Sequence, residues 1–183
     1  MTKNIAKKIE VFICFQIVIE IKEMKKVSEM AKVIHQSFER YPFLYERAYC
    51  AAFYPYNLYA IRRLNPLITT ALLSASNMTA LIIANTEHTP RPLPVFISKN
   101  MLIRSMIDAL FTWFRTTSGL KFLGADLLCI ERGDISENLL DTYKKENIIV
   151  CVWGVNDIKQ KNWLKGKKVT IITDILFDQE KNT

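Results

Sequence analysis

Three strand-like stretches of this sequence end in residues able to do chemistry. Ile17-Val18-Ile19-Glu20-Ile21-Lys22 closes on a carboxylate and an ammonium. Side chains alternate across a strand, so Glu20 and Lys22 share one face while Ile19 and Ile21 take the other. Opposite charges at the end of an apolar strand are costly unless they pair or line a solvated site, and ligands collect at the strand ends of parallel α/β folds. The alternative is that Lys22 and Glu23 begin a solvated turn; charge and spacing leave the two readings level. Ile149-Val150-Cys151-Val152-Trp153-Gly154-Val155-Asn156 and Ile171-Ile172-Thr173-Asp174 end the same way. Trp153 can wall a pocket, although an indole is more often core, and Asn156 or Asp174 can hold a polar group.

The elements that must position these residues follow from hydrophobic periodicity. It predicts strands over 11–22, 48–53, 67–73, 126–131, 148–153 and 169–173, with helices over 24–40, 56–64, 98–116, 135–146 and 157–164. In the first helix Val27, Met30, Ala31, Ile34 and Phe38 recur at three- and four-residue spacing and form one apolar face. Tyr41-Pro42 and Asn65-Pro66 stop helices, because the residue before proline is pushed out of the helical region. The residues from Ser74 to Asn77 and the cluster Pro90, Pro92 and Pro94 mark a long loop. Apolar, β-branched strands alternating with helices indicate a parallel sheet covered by helices. About six strands fall short of the eight of a closed barrel.

Half of the 183 residues are apolar and only five are glycine and six proline, which describes a chain with a core rather than a disordered one. The 25 basic against 18 acidic side chains, net +7, favour anionic partners without choosing among them. The densest basic stretch, 159–168, has five lysines and reads as a solvated helix face and turn. Only Trp163 interleaves with those lysines, so no nucleic-acid partner is expected. Cys14, Cys50, Cys129 and Cys151 form no CxxC pair and sit in apolar runs, as buried thiols do; one bridge remains compatible with the sequence.

Basic residues at 3–8 ahead of apolar 11–19 have the outline of a signal peptide, but the run ends in Glu20-Ile21-Lys22 with no small-residue cleavage site. In the bulky segment 101–128, Arg104, Asp108, Arg115 and Lys121 interrupt any stretch long enough to span a bilayer. An amphipathic helix lying on a membrane surface remains open, as does a cytoplasmic location.

In this order, Ile19-Glu20-Ile21-Lys22, Val150-Cys151-Val152-Trp153-Gly154-Val155-Asn156 and Ile171-Ile172-Thr173-Asp174 resemble the later motifs of glycerophosphodiester phosphodiesterases. The family pattern is an I-E-x-K strand, a V-x-x-W-T-V-N strand and a closing I-T-D strand. Tyr41-Pro42-Phe43-Leu44-Tyr45, Phe53-Tyr54-Pro55, Leu67-Ile68-Thr69-Thr70-Ala71-Leu72 and the bulky helix after Ile103 are similar to a membrane-associated member. The resemblance runs over 17–178, so 1–10 is set apart as an irregular segment, 11–178 as a partial phosphodiesterase domain and 179–183 as a tail. It implies an incomplete TIM-type (β/α) barrel of the phospholipase-C-like phosphodiesterase type, hydrolysing glycerophosphodiesters or lysophospholipids with Mg²⁺ or Ca²⁺. By position, Glu20 would be a metal ligand, Lys22 would neutralise phosphate charge in catalysis, and Trp153 and Asn156 would bind substrate.

The family's H-R-G strand, E-x-D pair and H-D motif are absent, and His35 and His88 match none of them. Ala52 stands where relatives often carry serine, and Gly154 replaces the usual threonine. One metal carboxylate gives little affinity for a cation that takes about six oxygen ligands, and a missing acid and base each forfeit roughly 10²–10⁴ in rate. Two expectations follow: a phosphodiesterase-family polypeptide without its N-terminal third, inactive alone, or a non-catalytic membrane-associated binding protein reusing the half barrel.

Overall fold

A computed structural model describes residues 17–22, 25–76, 101–116 and 118–173. Within them lie six strands: β1 (Ile17–Ile21), β2 (Ala48–Ala52), β3 (Thr70–Ser74), β4 (Leu127–Glu131), β5 (Ile149–Trp153) and β6 (Thr170–Ile172). All neighbours pair in parallel, in the order β1-β2-β3-β4-β5-β6. The helices between them are α1 (Val27–Arg40), α2 (Leu44–Arg47), α3 (Pro55–Leu64), α4 (Met101–Thr116), α5 (Ser118–Leu123), α6 (Glu137–Lys145) and α7 (Ile158–Gly166).

The strand order decides the architecture. Crossovers between parallel strands are right-handed, so a sheet wound always in one direction puts every helix on the same face. A doubly wound sheet reverses its order and is covered on both faces. Here the order never reverses, and the packing agrees. One core joins Ile21, Ala48, Cys50, Ala52, Leu72, Leu128 and Ile130 of the strands to Ala31, Ile34, Phe38, Leu58, Ile61, Leu120 and Tyr143 of the helices. The core on the opposite face has buried members from strands alone: Tyr49, Ala51, Ala71, Leu73, Leu127, Cys129 and Cys151. That second face is the inside of a partial TIM-type barrel, as the alternation predicts. β2 and β3 are buried at every residue, which a strand covered on both faces must be.

Local signals set the element ends. The chain leaves α1 at Tyr41, whose non-helical backbone precedes Pro42, while Pro55 opens α3 where its missing N–H costs nothing. Ser136 Oγ accepts from the Leu139 N–H at the start of α6, and Asp157 Oδ1 from the Gln160 N–H at the start of α7.

The structure departs from periodicity in two connections and one charge. After the Pro42 break the chain makes a single further turn, α2. Between α4 and β4 it forms α5, folded back so tightly that a Cβ on Gly119 would lie 2.6 Å from the Phe114 carbonyl oxygen. Lys161, expected on a solvated helix face, is buried at 6% exposure. The described cysteines, Cys50, Cys129 and Cys151, are buried free thiols. Cys14, His88, Asp174 and the proline-rich loop lie outside the described residues.

Candidate functional site

The two ends of this sheet differ in polarity. At the amino-terminal end Asp126 receives Arg62 at 2.8 Å and the Thr70 N–H at 3.0 Å, closing the gap between β3 and β4. Beside it the Asn65 amide donates to Tyr45 Oη at 2.7 Å and lies 3.3 Å from His35 Nδ1. His35 is thus a tie between α1 and the end of α3, remote from the strand carboxyl ends.

The carboxyl ends carry the candidate site, on the interior face. The β1–β2 register sets Glu20 opposite Ala51, an interior residue, so the Glu20 side chain belongs to the inside of the barrel. Lys22, two positions on, holds its Nζ 3.4 Å from Glu20 Oε2. The pair is open to water, with side chains 41% and 77% exposed for Glu20 and Lys22. Across the barrel, Trp153 closes β5 and Glu131 closes β4, in direct register with each other. The Trp153 ring meets the Phe53 ring edge to face, with centroids 5.9 Å apart and planes at 87°. These rings come from opposite sides of β3 and β4, so the sheet curls enough for the mouth to be roofed across its middle. Below them lie Leu73, Cys129 and Cys151, a dry floor on which the hydrogen bond with Cys151, and after it burial, raises the Cys129 thiol well above its usual range.

Gly154 turns the chain immediately after Trp153 at φ +73°, a left-handed conformation that a threonine adopts only with strain. Asn156 then binds its neighbour: Thr173 Oγ1 donates to Asn156 Oδ1 at 3.1 Å, and the Val155 N–H reaches the Ile172 carbonyl at 3.3 Å. Asn156 therefore fastens the β5 turn to the end of β6. Of the four sequence-derived candidates, Glu20 and Lys22 are together on β1, while Trp153 and Asn156 are on the β5 side of the same end. Phe53 and Glu131 were missed, although the alternation Leu127, Cys129, Glu131 already placed a carboxylate on one face of a strand end.

Against solved structures, the chain superposes on a protein of Silicibacter pomeroyi described as a glycerophosphoryl diester phosphodiesterase, with TM-score 0.57 and 19% identity over 86% of this chain and 46% of that one. The fold is a partial TIM-type barrel. A Galdieria sulphuraria protein described as a glycerophosphodiester phosphodiesterase matches at TM-score 0.53 and 15% identity, over 85% of this chain and 52% of that one. An Oleispira antarctica phosphodiesterase in complex with the product sn-glycerol 3-phosphate matches at TM-score 0.50 and 12% identity, over 84% and 49%. This chain spans about half the length of these structures. No family model and no curated protein matches the sequence.

The sequence resemblance implies a divalent metal, and the residues present can be tested for one. Among the described residues no three His, Cys, Asp or Glu side chains gather in one place. Glu20 faces the ammonium of Lys22 rather than a second carboxylate. A hard cation takes about six oxygens, so this donor set does not fit Mg²⁺ or Ca²⁺.

Proposed function

We propose that this chain binds the phosphate of a glycerophosphodiester or lysophospholipid at its barrel mouth, in the manner of a glycerophosphodiester phosphodiesterase, and does not hydrolyse it alone. The observation that carries this reading is the Glu20–Lys22 pair, exposed at the carboxyl end of β1 on the interior face of the barrel. Lys22 supplies a flexible cation for the phosphate, and Glu20 holds the ammonium over the mouth until an anion competes for it. Trp153 and Phe53 present an apolar wall to the ester group, and Asn156 keeps the β5 turn in place. The sequence stretches around Tyr41, Phe53, Leu67 and Ile103 point within the family to kinship with glycerophosphodiester phosphodiesterase 1, a membrane-associated member.

The test is phosphodiester hydrolysis and binding by the purified chain, with Mg²⁺ or Ca²⁺ and glycerophosphoinositol or a lysophospholipid, beside Glu20→Ala and Lys22→Ala. The expected outcome is no turnover, with phosphodiester affinity weakened by Lys22→Ala. Turnover that disappears in Glu20→Ala would make the chain an enzyme in its own right. Absence of any phosphodiester binding would remove the substrate reading.

A second reading, a membrane-associated binding protein, draws on α4. Met101, Leu102, Met106, Leu110 and Trp113 of this helix are exposed, and Ile103, Met106, Ile107 and Leu110 line an apolar groove along it. Among the described residues no helix is long and apolar enough to cross a membrane, so the contact proposed is with the surface of a bilayer. Sedimentation with phosphatidylserine vesicles should then be lost in Met106→Glu/Leu110→Glu. Equal sedimentation of the two proteins would exclude α4 as the contact.

A further inference from the structure

We infer that Cys129 and Cys151 form a buried two-sulfur site for a soft monovalent cation, Cu(I) in kind, in the floor of the barrel beneath Phe53 and Trp153. The site is separate from the phosphodiester reading, because it uses neither Glu20 nor Lys22. Cys129 of β4 and Cys151 of β5 stand in direct register on parallel strands. Both are free thiols, fully buried in the interior core against which Phe53 and Trp153 pack. Their side chains hydrogen-bond to each other, and the Tyr49 hydroxyl of β2 bonds to both. Cys50 is different: it lies on the helix-covered face, in register with Ile19 and Thr70.

Spacing decides which chemistry the pair suits. Neighbouring strands stand about 4.7–4.9 Å apart, and residues in register project side by side. A disulfide needs its Cβ atoms at about 3.8 Å, so forming one would pull the two strands together. Two metal–sulfur bonds of about 2.3 Å in line span about 4.6 Å, which matches the strand spacing without that movement. Zn²⁺ takes four ligands and hard cations about six oxygens, whereas no third metal-ligating Cys, His, Asp or Glu joins this pair among the described residues. Thiolates select Cu(I), which is stable with two of them in line. On binding, one Cu(I) enters, both thiol protons leave, and a bis-thiolate with one negative charge remains. The Tyr49 O–H donates to that charge, which would otherwise be costly in a dry floor. The Cys129 proton is held well above the usual thiol range, first by the hydrogen bond with Cys151 and then by burial, so the metal must displace it.

The test titrates the whole chain, reduced and without oxygen, with Cu(I) held by the chromogenic chelator bicinchoninate. A Cys14→Ala/Cys50→Ala background leaves the pair as the chain's remaining cysteines. That background should take up one Cu(I) per chain, and X-ray absorption should show the copper bound by two sulfurs. Adding Cys151→Ala should abolish uptake. Adding Tyr49→Phe, which keeps both thiols, should weaken it about tenfold. Circular dichroism melts of each variant identify any loss that is merely unfolding. Absence of uptake by the folded background, or uptake unchanged by Cys151→Ala, overturns the site. Three or more sulfurs on the copper would also overturn it, because the metal would then bridge separate chains.

Discussion

The two ends of the sheet are built from similar residues to opposite effect. At the amino-terminal end, Asp126 is engaged by Arg62 and by the Thr70 backbone, its side chain only 7% exposed, and Asn65, Tyr45 and His35 lock three helices together. At the carboxyl end, Glu20 and Lys22 make a long, solvated contact, and among the described residues Glu131 has no cation and a buried indole N–H has no acceptor. Polar groups whose hydrogen bonds are complete stabilise a fold; polar groups left incomplete in a concave mouth are available to a ligand. The contrast marks the lower end as structural and supports the upper end as the candidate site.

The largest test of that contrast is alkaline pH. Burial pushes the Cys50 thiol up to about 12 from its free value of 9.0, so between those values the unfolded chain sheds a proton that the folded chain keeps. Cys129 and Tyr49 are shifted in the same direction, chiefly by hydrogen bonding to Cys151 and by burial respectively. Stability should be flat below the free-thiol value and fall as pH rises through that window. Thermal melts across alkaline pH check this, and Cys50→Ala should make the fall shallower.

Next in size is the paired lower end. Asp126→Ala leaves a largely buried Arg62 and the Thr70 N–H without their acceptor and should cost about 3 kcal/mol in denaturant unfolding. A cost near zero would mean that water replaces the pair and that the lower end is not the locked one. Gly154→Thr, which restores the residue the phosphodiesterase pattern carries, should destabilise by about 1–2 kcal/mol. A Cβ there meets nothing within 4 Å, so the whole effect comes from the backbone at φ +73°. A neutral substitution would show that the turn relaxes. The smallest effect belongs to the rim: Glu20→Ala should change stability by less than about 0.5 kcal/mol, because an exposed pair at 3.4 Å contributes little.

Much of this architecture was legible in the sequence. Strand alternation put Glu20 and Lys22 on one face, and the β1–β2 register confirms that face as the interior. Proline positions placed the ends of α1 and α3, and all six strands were found with boundaries shifted by a few residues. The burial of Lys161 was not legible, because a charge run does not show which of its members turns inward. Nor was the fastening role of Asn156, whose partner Thr173 lies just past the end of the next strand.

The sequence by itself determined a parallel α/β chain, its element types and the charged end of its first strand, since periods of two and 3.6 residues are local properties. Only the tertiary structure decided that the sheet winds one way and curls, that Phe53 and Trp153 meet across it, and that Glu131 joins their side of the mouth. Those facts depend on which strands become neighbours and how far the sheet bends, and both are set by packing between residues far apart in the chain.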